Sequence, residues 1–395
     1  GANTFACTTT VRSGTLVAGS AGAFGTTKGL IVNGGTLDLN DLAIAAPSLA
    51  GTGGIVDLGS GTLTLNATTG ATTYGGRIAG TGGLSKLGAG TQTLTGSNTY
   101  TGTTSIGGGT LALDFTAPGA PTASIVSSAS SLSMAGGVLA IKGRGAANGQ
   151  SFNGLAITAG SNRINATSGT GGSLTVGLGA IDRTGGLMDF GFDTGTTLTT
   201  THADGALGGW ATVNGTDYAQ VSGGVITAFT SYANKDDASQ WLTGDIVSDE
   251  GNAPNTAYFG TLAGSVALGG LKYAAAAGST VNVGAANTLS VDGSIIVSPA
   301  AGVAAQRITG GSLTGGAGGS PLGVLQNSGG TLTIASAIVD NGGPTSFVSG
   351  GAGTGSVVLS GTNTYTGSTT VSGGTLSVGS IGNGGAASSI GASGS

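Results

Sequence analysis

Residues Gly80 to Leu113 read GTGGLSKLGAGTQTLTGSNTYTGTTSIGGGTLAL, and the last five of them, Gly109-Thr110-Leu111-Ala112-Leu113, are the unit that recurs along the chain. The pattern is Gly, Thr or Ser, apolar, polar, apolar. A period of two sends Leu111 and Leu113 to one side of the backbone and Thr110 and Ala112 to the other, as in a strand with one buried face. The β-branched Thr suits a pleated, half-exposed surface. The Gly before it supplies a corner, since it tolerates both positive φ and close backbone approach.

Working outward, the same five-residue signature stands at Gly35-Thr36-Leu37-Asp38-Leu39, Gly61-Thr62-Leu63-Thr64-Leu65, Gly330-Thr331-Leu332-Thr333-Ile334 and Gly374-Thr375-Leu376-Ser377-Val378, with looser copies starting at Gly14, Gly90, Gly172, Gly264 and Gly311. Starts at 14, 35, 61, 90 and 109 are 21, 26, 29 and 19 residues apart, and 330 to 374 is twice 22. That is the length of one solenoid coil. A single coil cannot bury its own apolar face, whereas a stack of coils makes a continuous core. The spacing therefore predicts an all-β, rod-shaped β-solenoid running as one continuous segment over residues 1–395. Leu94, Leu111, Leu113, Leu332, Leu376 and Val378 are its expected core ladder, and Gly96, Gly109, Gly361 and Gly374 its corners. A short helix is the one expected exception, over residues 235–241.

Composition agrees. Glycine makes up 84 of 395 residues, a level at which aperiodic chains are disordered, but 38% are hydrophobic and only 7% charged, so there is surface worth burying. The net charge of −5 is spread thinly and forms no basic stripe, which argues against a nucleic-acid partner. The lone Cys7 excludes an internal disulfide and a Cys-rich metal site, and the apolar runs are too short to span a bilayer.

The 80–113 stretch resembles the passenger-associated transport repeat of autotransporter adhesins. Gly361-Thr362-Asn363-Thr364-Tyr365-Thr366-Gly367 repeats Gly96 to Gly102, and Val371 to Leu376 repeats Ile106 to Leu111, within a copy spanning 351–378. A further copy opens the chain at 1–17, with Asn3, Phe5, Thr8, Thr9, Val11, Gly14, Thr15 and Leu16 aligned to Asn98, Tyr100, Thr103, Thr104, Ile106, Gly109, Thr110 and Leu111, and with Cys7 in place of Gly102 and Gly367. The resemblance implies a right-handed parallel β-helix on the outside of a Gram-negative cell, acting as an adhesin or stalk. It also implies a longer parent chain. Partners expected on this reading are adjoining segments of that chain, further copies stacked end to end into a filament, and surface glycans or neighbouring cells; no cofactor is expected.

Residues 182–273 differ in composition and are expected to protrude. They hold ten of the sixteen carboxylates, among them Asp236, Asp237, Asp245, Asp249 and Glu250, and ten of the eighteen aromatic residues, including Tyr258 and Phe259. Trp210, Tyr218, Tyr232 and Trp241 are the candidate binding surface, because exposed rings can stack on sugars or on a partner protein. The competing reading for the rings is core packing. A paired-carboxylate glycosidase within 236–250 is the enzymatic alternative, and a solvated charged loop or a cation site the others. His202 is the only histidine, too few for a two-His zinc site and a weak basis for a hydrolytic triad. The sequence thus favours a non-enzymatic protein.

Overall fold

The structure, a computed structural model, describes residues 3–233, 236–249, 259–383 and 385–392. Residue 235, where the expected short helix begins, and Glu250 and Tyr258 lie outside the described residues. The chain forms two compact units. The first comprises residues 1–186, 191–204 and 221–226; the second comprises 187–190, 205–220 and 227–395.

The first unit is a parallel β-solenoid. Ile44–Ala46, Thr62–Leu65, Gly83–Lys86, Thr104–Ile106, Leu132–Met134, Leu155–Ile157 and Ile181–Arg183 form one seven-stranded sheet. Every neighbouring pair in it is parallel and one coil apart in sequence. A second face stacks Ala71–Tyr74, Thr91–Leu94, Thr110–Asp114, Val138–Lys142 and Ser161–Thr167 in the same way. Register on this face lines up Tyr74, Leu94, Leu113, Ile141 and Ala166, all buried, as a ladder along the interior. Each such Leu or Ile contributes about 1.5–3 kcal/mol by leaving water, and the coil-by-coil register makes that burial continuous.

The second unit repeats the plan. Its three parallel sheets contain six, six and four strands. One ladder runs Val281, Ile308, Ile334, Leu359, Val378, and a neighbouring one Leu332, Val357, Leu376. Leu332 is fully buried, while Leu376 and Val378, on an edge strand, are partly buried against the core. The expected short helix is a single 3-10 turn, Ala238–Gln240, capped by the Asp237 side chain.

The stacking is not parallel throughout. Ala211–Val213 pairs antiparallel with Asp217–Ser222, and Thr199 opposes Val225 antiparallel. The cause is local: Asn214 and Gly215 both have positive φ (52° and 66°), which reverses the chain within a three-residue loop. An Asn-Gly pair between two apolar runs favours this reversal over a solenoid corner.

The expected corner glycines fall into two physical kinds. Gly109 and Gly374 have φ of 59° and 70°, where a side chain would be strained. Gly96 and Gly361 are needed for proximity instead, since a Cβ there would lie 2.0 Å from the Gly76 carbonyl oxygen and 2.5 Å from that of Ser336.

Candidate functional site

Two arrangements go beyond generic coil stacking. The first is built by the repeated Asn-Thr-Tyr-Thr-Gly segment. Corners interrupt the backbone ladder and leave buried amide groups that need partners. Asn98, buried, meets this need on both sides: its Oδ1 accepts the Ile78 N–H of the preceding coil (2.8 Å), and its Nδ2 donates to the Ile125 carbonyl of the following coil (2.8 Å). Asn363 does the same in the second unit, accepting from Ile338 N–H (2.8 Å) and donating to the Ser389 carbonyl (2.7 Å). Two residues on, Tyr100 and Tyr365 fill the core, and their hydroxyls bond to Thr104 Oγ1 (2.7 Å) and Thr369 Oγ1 (2.6 Å). Burial pushes both phenols up, so they stay neutral. Gly102 and Gly367 then let the coils touch, with a notional Cβ only 2.4 Å from the Gly82 carbonyl oxygen and 2.3 Å from that of Thr345. Cys7, at the matching position of the opening copy, is exposed. The segment is therefore an inter-coil staple.

The second arrangement lies in the second unit, where residues 205–220 pack on the outer face of the sheet holding Gly270–Tyr273 and Gly293–Val297. Gly209 pairs with Gly293 as a parallel bridge. Tyr218, fully buried, accepts the Leu271 N–H on its hydroxyl (2.7 Å), which lies 2.5 Å from the Ser294 carbonyl oxygen as donor. A Cβ on Gly270 would strike the Tyr218 ring at 2.6 Å, so this glycine makes room for the docked segment. Beside it Lys272, 2% exposed, pairs with Asp217 (Nζ to Oδ1, 2.5 Å). Tyr232 covers the pair: the ammonium lies 4.9 Å from its ring centroid and its hydroxyl donates to Asp217 Oδ1 (3.1 Å). Burial, then the Asp217 charge, pushes the Tyr232 phenol up.

The four candidate binding residues are not gathered on an open surface. Tyr218 and Trp210 are buried, Tyr232 is half-buried over Lys272, and Trp241 is buried against Phe259, which in turn meets Tyr273 (centroids 5.1 and 5.4 Å apart). The core-packing reading describes Trp241: its ring is one step of an interior aromatic stack. Among the acids, Asp237 accepts from Ser239 N–H and Asp245 from Leu242 N–H. Asp249 is buried, and burial pushes its carboxyl up against the pull of hydrogen bonds from Ala274 N–H, Ser279 Oγ (2.8 Å) and Ala275 N–H (2.8 Å). These acids serve turns in the backbone. His202 is exposed, and among the described residues no group of three or more His, Cys, Asp and Glu is placed to hold a metal. No helix among them is long and apolar enough to cross a membrane.

Parallel coils stacked in register and joined by a repeated Asn–Tyr–Thr staple define a class, the β-solenoid. The chain matches the Passenger-associated-transport-repeat family over residues 84–113 and 352–378. It is also 54% identical over 369 residues, 92% of its length, to the Adhesin BmaC autotransporter of Brucella suis biovar 1 (strain 1330), of which it spans 11%. No solved structure matches the chain. The chain is thus an autotransporter passenger repeat segment, exposed on the surface of a Gram-negative cell.

Proposed function

We propose that this segment is a non-enzymatic, structural and adhesive part of a surface stalk. The observation that carries the reading is the recurrence of one buried staple, Asn98 with Tyr100 and Asn363 with Tyr365, in both units. Stapled coils resist slippage and local opening, which is what a load-bearing spacer needs. The adhesive part rests on likeness to a protein named an adhesin, of which this chain spans a small share. The partners we propose are further coils of a long chain, pairing on the edge strands Thr15–Val17 and Thr375–Val378, where Leu16 and Val17 are exposed. End-to-end filament assembly would use the same edges. A glycan face built on Trp210 and Trp241 draws no support from their burial.

Adhesion is tested by coating beads with the purified chain and counting attachment to cultured epithelial cells. Attachment well above that of albumin-coated beads is expected. Attachment at the albumin level would remove the adhesive role from this segment, and release of reducing ends from surface polysaccharides would favour the glycosidase alternative.

A further inference from the structure

Among the ion pairs of the described residues, Lys272 with Asp217 has a geometry that does more than attract. We propose that these two side chains condense after folding into an intramolecular amide, joining Lys272 Nζ to Asp217 Cγ and fastening the docked segment covalently to the solenoid. Nothing in the proposed adhesive role is needed for it.

Both reactants are held from the backbone outward. Lys272 is pinned between two coils by parallel pairing with Ser248 and Ile296, and Asp217 is pinned opposite Val213 beside the Asn214-Gly215 reversal. The nucleophilic nitrogen is 2.5 Å from Asp217 Oδ1, and the lysine side chain is 2% exposed. Well-oriented intramolecular partners reach effective molarities on the order of 10⁵ to 10⁸ M, and holding amine and carboxyl together lowers the barrier to their joining in this way. The surroundings act in the same direction. The Tyr232 ring covers Nζ, and Phe229 packs edge-on against Tyr232 with centroids 5.2 Å apart. The amine end is thus kept from bulk water and held against the carboxylate, which stays open on one side.

The atoms balance without an outside reagent. A proton passes from the Lys272 ammonium to Asp217 Oδ2, leaving a neutral amine and a neutral acid. The amine lone pair adds to Cγ. The Tyr232 hydroxyl, already donating to Oδ1 at 3.1 Å, stabilises the negative charge that develops there. The Cγ–Oδ2 bond then breaks, Oδ2 takes a proton from the nitrogen, and one water leaves. Its exit is open, since Asp217 is 28% exposed at the side chain. Oδ1 becomes the amide oxygen. Tyr232 is a positioning residue for Asp217 and, in this step, its oxyanion donor.

The bond would close a loop between residues 55 positions apart, so that force applied along the chain would bypass residues 218–271. The test is the intact mass of the folded 395-residue chain, followed by protease digestion and peptide sequencing by mass spectrometry. The expected result is a mass lower by one water and a branched peptide containing both Asp217 and Lys272. Lys272→Arg, which keeps the positive charge but cannot form this amide, should restore the full mass. A full, unmodified mass for the wild-type chain after prolonged incubation in the folded state would overturn the proposal and leave a simple ion pair. So would a water loss that persists in Lys272→Arg, which would point to dehydration elsewhere. Should Lys272→Arg fail to fold, the presence or absence of the branched wild-type peptide still decides.

Discussion

Replacing Asn98 by Ala tests whether the staple holds the stack. The side chain makes three hydrogen bonds, to Ile78 N–H (2.8 Å), the Gly96 carbonyl (3.0 Å) and the Ile125 carbonyl (2.8 Å). The Ile125 oxygen keeps the Asn98 backbone N–H (2.9 Å), so the carbonyl side of the loss is modest. Ile78 N–H is different: it sits on a fully buried residue and has no replacement acceptor in the truncated chain. An orphaned buried donor costs about 1–3 kcal/mol and each lost net hydrogen bond about 1 kcal/mol, giving a total near 3 kcal/mol, or roughly a hundredfold in the local opening equilibrium. Native-state hydrogen exchange reads this directly, with Ile78 and its neighbours in the 77–79 strand losing protection while 281–283 in the second unit does not. Denaturant unfolding should show the same loss. Asn98→Asp keeps the acceptor for Ile78 but sets a buried carboxylate against two carbonyl oxygens, so it should be at least as harmful near neutral pH. Thr99→Ala, one position away and exposed, should stay within about 0.5 kcal/mol of the parent. Equal protection at Ile78 in the parent and in Asn98→Ala would refute the staple.

Three further perturbations have defined outcomes. Gly102→Ala should destabilise the first unit by about 1–3 kcal/mol in denaturant titration, because its Cβ meets backbone on the coil beneath; Gly19→Ala, with no atom within 4 Å, should be near neutral. Tyr218→Phe removes the hydroxyl that joins Leu271 and Ser294, so limited proteolysis should cut within 205–220 sooner than in the parent, while the coils remain intact. Asp249 has a carboxyl raised by burial in the folded state, so the proton binds the folded chain more tightly than the unfolded one. Its favourable contribution is therefore fully present below the ordinary carboxylate range and is lost as pH rises through the raised value. Stability of the parent relative to Asp249→Asn should fall as pH rises above the ordinary carboxylate range, and a difference that stays flat as pH rises would contradict the assignment.

Much of the fold was legible because its cause is periodic. In Gly-Thr-Leu-Ala-Leu at 109–113 the alternation of side chains, the corner glycine and the coil spacing all point to one structure, and Leu111 and Leu113 are fully buried where that pattern puts them. The staple was half visible. Alignment of Asn98 with Asn363 marks the position, but an exposed turn residue and a buried amide bridging two coils look alike in sequence, since the difference lies in what the adjacent coils leave unpaired. Aromatic enrichment at 182–273 signalled a distinct region without saying which way its rings face, and burial of Trp210, Tyr218 and Trp241 depends on contacts across long separations, such as the 53 residues between Tyr218 and Leu271. One local signal went unread: Asn214-Gly215 between Ala211–Val213 and Asp217–Ser222 marks a hairpin. Lys272 with Asp217 had no sequence signature, because their proximity follows from docking that hairpin.

Successive coils stack in parallel, one strand spacing apart. Spin labels on the outward positions Ala45, Ser133 and Asp182, which lie in one column of the seven-stranded sheet, test it by pulsed electron-spin resonance after Cys7→Ser. Four coil steps separate 45 from 133 and six separate 45 from 182, so at about 4.8 Å per step the second distance should exceed the first by about 10 Å. Two distances that are equal, or that shorten with added coils, would contradict the stack.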